Sequence, residues 1–411
     1  MFRSVQDRET DPTHSPVRCR PCEGGNGWRN WEGSSMAGSD HILIVGGGIA
    51  GLSAAAALRQ KGFDPELVER EPEWSALGAG IAIQPNGTRV LQSLGVFAEI
   101  EEAGAPLHRF VFCTPQGETL AAIDLQELWK DVGRGIGIER GKLQTSLLSA
   151  VDGLPCRLGV SVTSLKQDGR RVAVTFTDGG VDEYDLVIGA DGISSTVRRL
   201  ALSEAAPTYA GQMAWRGLAP RDPDDAGEIR FWMGDECFFG FYPVNERRRY
   251  FFGYVNAPER RHDPTEGRLG RLRERFAAFG APVREGLASV DEDEEIHCSA
   301  IEWLELERWR EGRVVLIGDA AHASSPMMGQ GGCMAIEDAF VLAELLAGSR
   351  TVDDALESYV QRRRPRVDWV QRESSALGKT ALLPPAARDA ALRERGAEMF
   401  RARYLPLLAE P

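Results

Sequence analysis

Residues His41 to Leu58 read HILIVGGGIAGLSAAAAL, and the glycines restrict what the surrounding chain can become. Ile42 to Val45 is an apolar run of strand length, and the alanine-rich stretch after Gly51 favours a helix. Between them, Gly46-x-Gly48-x-x-Gly51 allows a tight turn at Gly46, close approach of backbone to a pyrophosphate at Gly48, and close helix-to-strand packing at Gly51. A helix N-terminus placed there faces an anion. The glycines alone are a weak signal; the second half of the signature is an acid about 20 residues on that can bind a ribose hydroxyl. Glu69, at the end of the apolar run PELVER and followed by Arg70, supplies it. A glycine-rich surface turn would leave Glu69 unexplained, so the pattern predicts a strand–helix–strand unit that holds a dinucleotide.

Two later segments repeat this logic. In EYDLVIGADGISSTVRRL, a buried strand ends in Asp191-Gly192, with Ser195 and Arg198 following. In GRVVLIGDAAHASSPMMGQGGCMAIEDAFVLAELL, the strand Val314 to Ile317 leads to Gly318-Asp319, Pro326, Gly329, Gly331, Gly332 and an amphipathic helix. Three strands thus end in small or acidic residues at one sheet edge, and the carboxyl ends of parallel strands are where such folds bind ligands.

In order and spacing the three motifs resemble those of the single-component FAD-dependent aromatic hydroxylases and their epoxidase relatives, the para-hydroxybenzoate hydroxylase-like superfamily. The resemblance runs from about residue 40 to about residue 375. It implies an α/β fold: a Rossmann-like FAD-binding domain with an inserted, mostly antiparallel β-sheet substrate domain and C-terminal helices. On this chain the FAD-binding parts fall at 39–110, 136–204 and 298–345, the substrate-domain pieces at 111–135 and 205–297, and the C-terminal helices at 346–411. The resemblance further implies that Gly46, Gly48, Gly51 and Glu69 bind the ADP part of FAD. Asp191, Gly192, Ser195 and Arg198 would lie near the pyrophosphate and serve NADPH binding. Gly318, Asp319, Pro326, Gly329, Gln330 and Gly331 would meet the ribityl-pyrophosphate region, and Arg140, with Gln144 one turn on, would touch the FAD. Implied with FAD are NADPH or NADH as electron donor and O2 as co-substrate. The stretch MGQGGCMAIEDAF is especially similar to zeaxanthin epoxidases and to urate and salicylate hydroxylases. Urate hydroxylases place an arginine for the purine on the strand that here reads GDECFFGFYPV; Phe238 stands in its place, which disfavours urate.

The activity implied is insertion of one oxygen atom into an aromatic or unsaturated small molecule, polyene and polyketide-like compounds included, through a flavin C4a-hydroperoxide. Backbone N–H groups at Gly331 and Gly332 would stabilise the negative charge of reduced flavin. Pro326, with no N–H, would form a dry wall beside it. Arg216 would bind an acidic substrate or the flavin edge, unless it is a surface salt-bridge partner. EIRFWMG, CFFGFYPV and RRYFFGYV are short aromatic strands of an antiparallel sheet. With period two, Phe239 and Phe241 face one way while Phe238 and Tyr242 face the other. Trp215, Phe239, Phe241 and Tyr254 are the candidate substrate wall, and Tyr250 and Tyr254 candidate proton relays. His322 reads as a packed histidine rather than a catalytic base, and Glu337 and Asp338 as braces of their helix.

Other function classes fit less well. A net charge of -13 argues against nucleic acid or anionic membrane as the main partner. Arg362-Arg363-Arg364 reads as a solvated face. No apolar run reaches the ~18 residues of a spanning helix. Residues 1–38 read as a disordered extension rather than a signal peptide, and Met36 as a second possible start. Seven scattered cysteines suggest free thiols in the cytoplasm, and Cys19-x-x-Cys22 lacks a second pair to hold zinc. The nine tryptophans include no W-x-W pair of the flavin halogenases. The competing functions are a flavin-dependent reductase or dehydrogenase of the same fold, and a non-catalytic FAD-binding module. GRGIGIERG is not preceded by a buried strand, so the nicotinamide cofactor has no Rossmann unit of its own. Pro365 is expected to kink or end its helix. The tail beyond Pro384-Pro385 is expected to pack across the FAD domain or to form homodimer contacts.

Overall fold

The structure, a computed structural model, describes residues 41–74, 79–222 and 225–411. The expectations for residues 1–38, with Met36 and Cys19-x-x-Cys22, lie outside the described residues. Cys113, Cys237, Cys298 and Cys333 are free thiols, whereas Cys156 is disulfide-bonded, contrary to the reading of all the cysteines as free.

Ile42–Val45 is central in a six-stranded sheet whose order is Arg310–Glu311, Val314–Leu316, Leu186–Gly189, Ile42–Val45, Glu66–Glu69 and Cys156–Leu158. All its pairings are parallel except that of the edge strand Arg310–Glu311. Ile42, Leu43, Ile44 and Val45 are all buried, as expected of a parallel strand covered on both faces. Val45 is in register with Gly189, and Gly189 with Leu316, so the three expected ligand-binding strand ends share one edge. Helix α1 (Ile49–Gln60) starts from this edge and packs back so closely that a Cβ on Gly51 would lie 1.9 Å from the carbonyl oxygen of Gly46. Gly46 has φ +111°, a region that favours glycine. Helices α2 (Pro85–Ser93), α3 (Arg140–Ser149) and α4 (Thr196–Ala201) begin near the same edge. A small antiparallel sheet of Gly80–Ile83, Gly135–Glu139 and Ala105–Leu107, unread in the sequence, joins this unit to the next.

The aromatic strands form a seven-stranded sheet of order His297–Trp303, Thr208–Pro220, Arg248–Asn256, Cys237–Pro243, Glu228–Met233, Arg109–Cys113 and Thr119–Asp124. It has two different faces. On the outer one, Trp215, Trp232, Phe239, Phe241 and Phe251 pack with Phe276, Val283 and Leu287 of helices α5 (Arg268–Arg275) and α6 (Ala281–Ala288) and the turn between them, forming a second hydrophobic core. On the inner one, Phe231, Phe238, Tyr242, Tyr250, Phe252 and Tyr254 belong to the main core.

Helix α7 (Gly331–Gly348) lies along α1, followed by α8 (Val352–Ala381) and α9 (Pro385–Tyr404). Pro365 does not end α8, which continues through it. The lost hydrogen bond there is offset by anchors on both sides: Arg362 bonds Glu344, Arg363 bonds Glu337 and Asp338, Arg364 bonds the Leu306 carbonyl, and Arg366 bonds Glu337. The arginine run is therefore a solvated face only in part, Arg362 being exposed and Arg364 half-buried. Arg363 is fully buried. The tail helix α9 packs against Thr119–Asp124 of the aromatic sheet, and a Cβ on Gly396 would come within 2.7 Å of the Ala121 Cβ.

At the opposite end of the parallel sheet, His41 Nε2 sits 3.1 Å from Glu66 Oε1, its Nδ1 is 2.7 Å from the Glu183 carbonyl, and its ring stacks on Tyr184. Glu66 also accepts from the Tyr184 hydroxyl at 2.8 Å, while Asp182, Asp185 and Arg157 complete the charged surroundings. The hydrogen bond to Glu66 raises the His41 pKa above 6.5, and the same bond lowers that of Glu66 below 4.5. The His41 contribution is full below 6.5 and is lost as pH rises through its raised value; that of Glu66 is full above 4.5 and is lost as pH falls through its lowered value. The stability difference between wild type and His41→Gln is therefore expected to be greatest between those two pH values and to shrink on either side, as measured by urea unfolding across the range.

Candidate active site

A cleft of about 230 Å³ opens at the carboxyl edge of the parallel sheet. Its walls include Gly46, Gly48, Glu69, Arg70, Arg140, Gln144, Asp191 and Gly192, so eight of the sequence-predicted cofactor residues meet there. Gly48 is the N-cap of α1 and offers no side chain to the first-turn N–H groups; a Cβ on it would meet nothing within 4 Å. Glu69 Oε2 accepts from the Gly47 N–H at 2.6 Å and Oε1 from the Glu71 N–H at 2.9 Å, which points the carboxylate along the cleft wall. Gln144 reaches back to the Gly47 carbonyl at 3.5 Å. Gly51, Arg198, Gly318, Asp319 and Gly329 are not in the lining.

The second motif shapes the cleft more than it presents charge to it. Asp191 Oδ2 accepts from the N–H groups of Thr196 and Val197, and Oδ1 from the Ser195 hydroxyl, so both oxygens serve the start of α4. Arg198 is 2% exposed and donates to the carbonyls of Ala320 and Ile193 at 2.9 and 2.7 Å. It ties the Asp191 loop to the Asp319–His322 turn. The service to NADPH binding implied for Arg198 would then run through the loops it holds.

The third motif is held by a buried charge cluster. Gly318, at φ +58°, donates its N–H to Asp338 Oδ2 at 3.0 Å, and Asp338 takes His322 Nε2 at 2.6 Å and Arg363 Nε at 2.8 Å. Burial works against the Asp338 charge, but His322 and Arg363 hold its pKa at about 2. Next to it, Glu337 binds Arg363 at 2.7 Å, Arg366 through both oxygens at 2.8 Å, and the Asn86 amide at 2.8 Å. Asn86 and Gln330 exchange two amide hydrogen bonds, 2.9 and 3.2 Å, which fixes the residue before α7 against α2. Around this cluster the chain makes the Pro326–Met328 turn, passes Gly329 at φ +61°, and enters α7 with no side-chain cap. The two glycines expected to act alike differ: a Cβ on Gly331 would have only Asp319 Oδ1, 3.9 Å away, whereas one on Gly332 would press within 2.9 Å of Ile81 Cδ1. Asn86, in the turn-like sequence QPNG, carried no signal of this role.

The inner face of the aromatic sheet carries a polar group among rings. Arg216 and His297 are register partners, and Arg216 donates to the Ser299 hydroxyl at 2.8 Å and to the Tyr254 hydroxyl at 3.3 Å. No carboxylate partners Arg216 among the described residues. Burial opposes its charge, and the hydroxyls of Tyr254, Tyr250 and Tyr242 face it. Burial pushes the Tyr242 and Tyr250 hydroxyls well above their usual range. Tyr254 is on this face as expected, but Trp215, Phe239 and Phe241 are not. Trp215 binds Asp263 and packs on the outer core with Phe239 and Phe241, because strand alternation sends them away from Arg216. Phe238 and Tyr242 take the inner positions instead.

Residues 40–374 match a family model described as the FAD binding domain. The chain belongs to this family. FAD is its cofactor, and its class is FAD-dependent monooxygenase. The flavoprotein is 33% identical over 344 residues to aurachin C monooxygenase/isomerase of Stigmatella aurantiaca, an alignment covering 82% of this chain and 88% of that one. It is 33% identical over 346 residues to 2-heptyl-3-hydroxy-4(1H)-quinolone synthase of Pseudomonas aeruginosa, covering 82% and 88%. The structure of Klebsiella pneumoniae HpxO complexed with FAD and uric acid superposes with TM-score 0.82 at 30% identity, covering 89% of this chain and 97% of that one.

The geometry of the flavoprotein suits that cofactor. Two packed helices, α1 and α7, start without side-chain caps, α1 in the cleft wall, leaving first-turn N–H groups for an anionic ligand. The space that a Gly48 Cβ would take is open, whereas that of a Gly51 Cβ is filled by backbone. Gly48→Ala is therefore expected to weaken FAD binding while leaving the unfolding midpoint of the apoprotein nearly unchanged. Gly51→Ala is expected to lower that midpoint itself; FAD titration and thermal unfolding of both variants check the distinction. Arg363→Met leaves two buried carboxylates short of a partner and is expected to cost about 3–5 kcal/mol of stability, measured by urea unfolding.

Proposed function

We propose that the protein is an NAD(P)H-consuming monooxygenase that inserts one oxygen atom into a small aromatic molecule bearing a phenolic or acidic oxygen. The observation that carries this reading is Arg216, a guanidinium whose bonded partners are two neutral hydroxyls. A partly buried cation without a carboxylate is costly unless a ligand supplies the anion. Arg216 and Tyr254 would receive the substrate oxygen, and Tyr242 and Tyr250, kept protonated by burial, would donate hydrogen bonds around it. Phe238 stacks on Tyr254 with 4.7 Å between ring centroids and presents an apolar edge where urate would need a cation, so urate is a poor candidate.

Bound FAD, reduced by the nicotinamide cofactor, would supply the oxygen chemistry with O2. Gly46, Gly48, Gly51, Glu69, Arg70, Arg140 and Gln144 would hold its ADP end, with Asp191 and Gly192 shaping the pyrophosphate wall. Gly318, Asp319, Gly329 and the α7 N-terminus at Gly331 would hold the remainder. Pro326 adds a wall with no N–H to bind water. Arg198 would act by positioning the Asp191 loop, a role its buried contacts support.

The test is NADPH and NADH oxidation by the FAD-loaded enzyme with phenols and hydroxylated heteroaromatics, coupled to an oxygenated product. Arg216→Gln is expected to raise KM for phenolic substrates by roughly 10–150-fold, as for a lost charged hydrogen bond, with FAD content retained. An unchanged KM, or NAD(P)H oxidation that yields only a saturated product, would overturn the reading.

A further inference from the structure

Next to the Tyr254 ring, the inner face of the aromatic sheet becomes apolar, and a separate cavity of about 60 Å³ lies there beneath α8 and α9. Phe112, Phe231 and Phe238 line it from the sheet, and Leu377, Leu392 and Phe400 from the helices. Two contacts place it beside the candidate active site. Phe238 lines the cavity and stacks on Tyr254, whose hydroxyl accepts from Arg216. Met327 also lines it, and belongs to the turn that begins at Pro326.

The polar groups at its margin are already engaged. Arg388 donates to the Met233 carbonyl at 2.9 Å, Arg403 to Glu373 at 3.2 Å, and the Tyr404 hydroxyl to the Met328 carbonyl at 2.9 Å. Water entering such a space finds few partners, whereas hydrocarbon loses nothing by entering it. We infer that this cavity receives a short apolar substituent of the substrate. The substrate class is then an aromatic ring with a phenolic or acidic oxygen toward Arg216 and a short alkyl group toward Phe231 and Leu377. The position of the ring rests on the monooxygenase reading above.

Size sets the length of that group. A cavity of about 150 Å³ accepts the six carbons of benzene, so 60 Å³ corresponds to two or three carbons. Affinity is expected to rise about fourfold per carbon, equivalent to ~0.8 kcal/mol per buried methylene, and to level off after the second or third. A series of 2-alkyl-4-hydroxyquinolines from unsubstituted to heptyl, titrated calorimetrically into the FAD-loaded enzyme, reads this directly. Leu377→Ala enlarges the cavity and is expected to move the plateau one to three carbons further; Leu377→Trp is expected to abolish the rise. Either shift requires the chain to lie against Leu377, which a merely structural role would not produce.

An affinity independent of chain length, or no binding by any member of the series, overturns the inference. A plateau unmoved in both folded variants does so as well. Chain-dependent binding without oxygenated product in the presence of NADPH and NADH would sustain the cavity assignment and sink the monooxygenase reading. Oxygenated product with flat affinity would do the reverse.

Discussion

The paired carboxylates Glu337 and Asp338, wholly buried on α7, are the interaction on which the rest of the site depends. Through Arg363 and Arg366 they fasten α8, through Asn86 they fasten α2, and through Gly318 and His322 they fasten the turn after the strand Val314–Leu316. Buried charges are costly to desolvate, and such a cluster is weak evidence for stability as such. What it does here is positional: it sets α2, α8 and the Gly318 turn against α7. That arrangement leaves the first turn of α7 uncapped at the edge of the parallel sheet.

The flavoprotein uses buried charge in this way a second time, at the other side of the Asp319–His322 turn. Arg198 is a buried cation that bonds only backbone carbonyls among the described residues, and it clamps two loops. Asp191 spends both oxygens on the helix that follows it. Charged residues in the motifs thus act mainly on the backbone that borders the cleft. Arg216 differs from them in its partners: it bonds two side-chain hydroxyls rather than backbone, and on the proposed reading its charge would meet the substrate.

The aromatic sheet divides its residues between two tasks. Alternation along Cys237–Pro243 puts Phe239 and Phe241 into the core under α5 and α6, and Phe238 and Tyr242 into the main core with Tyr254. The sequence makes the alternation plain, but both sets are equally aromatic, so nothing in it says which set faces inward. Helices α5 and α6 decide this by covering one face. Pro365 is a parallel case: local preference favours a break, and four tertiary anchors on the neighbouring arginines carry the helix through.

Taken by itself, the sequence determined the strand–glycine–helix units, the acid at Glu69, the three strand ends at one sheet edge, and hence the FAD family. These features are local, because glycine torsions, strand periodicity and fixed spacings act within a few residues. Only the tertiary structure decided that Asn86 meets Glu337, that Arg363 is buried rather than solvated, that a side chain on Gly331 would have room while one on Gly332 would press on Ile81, and that Arg216 has no carboxylate partner among the described residues. These are pairings across long stretches of chain, Asn86 and Glu337 being 251 residues apart. A charge or an amide carries no mark of its distant partner; the partner is selected when packing excludes water and every remaining polar group must find a bond.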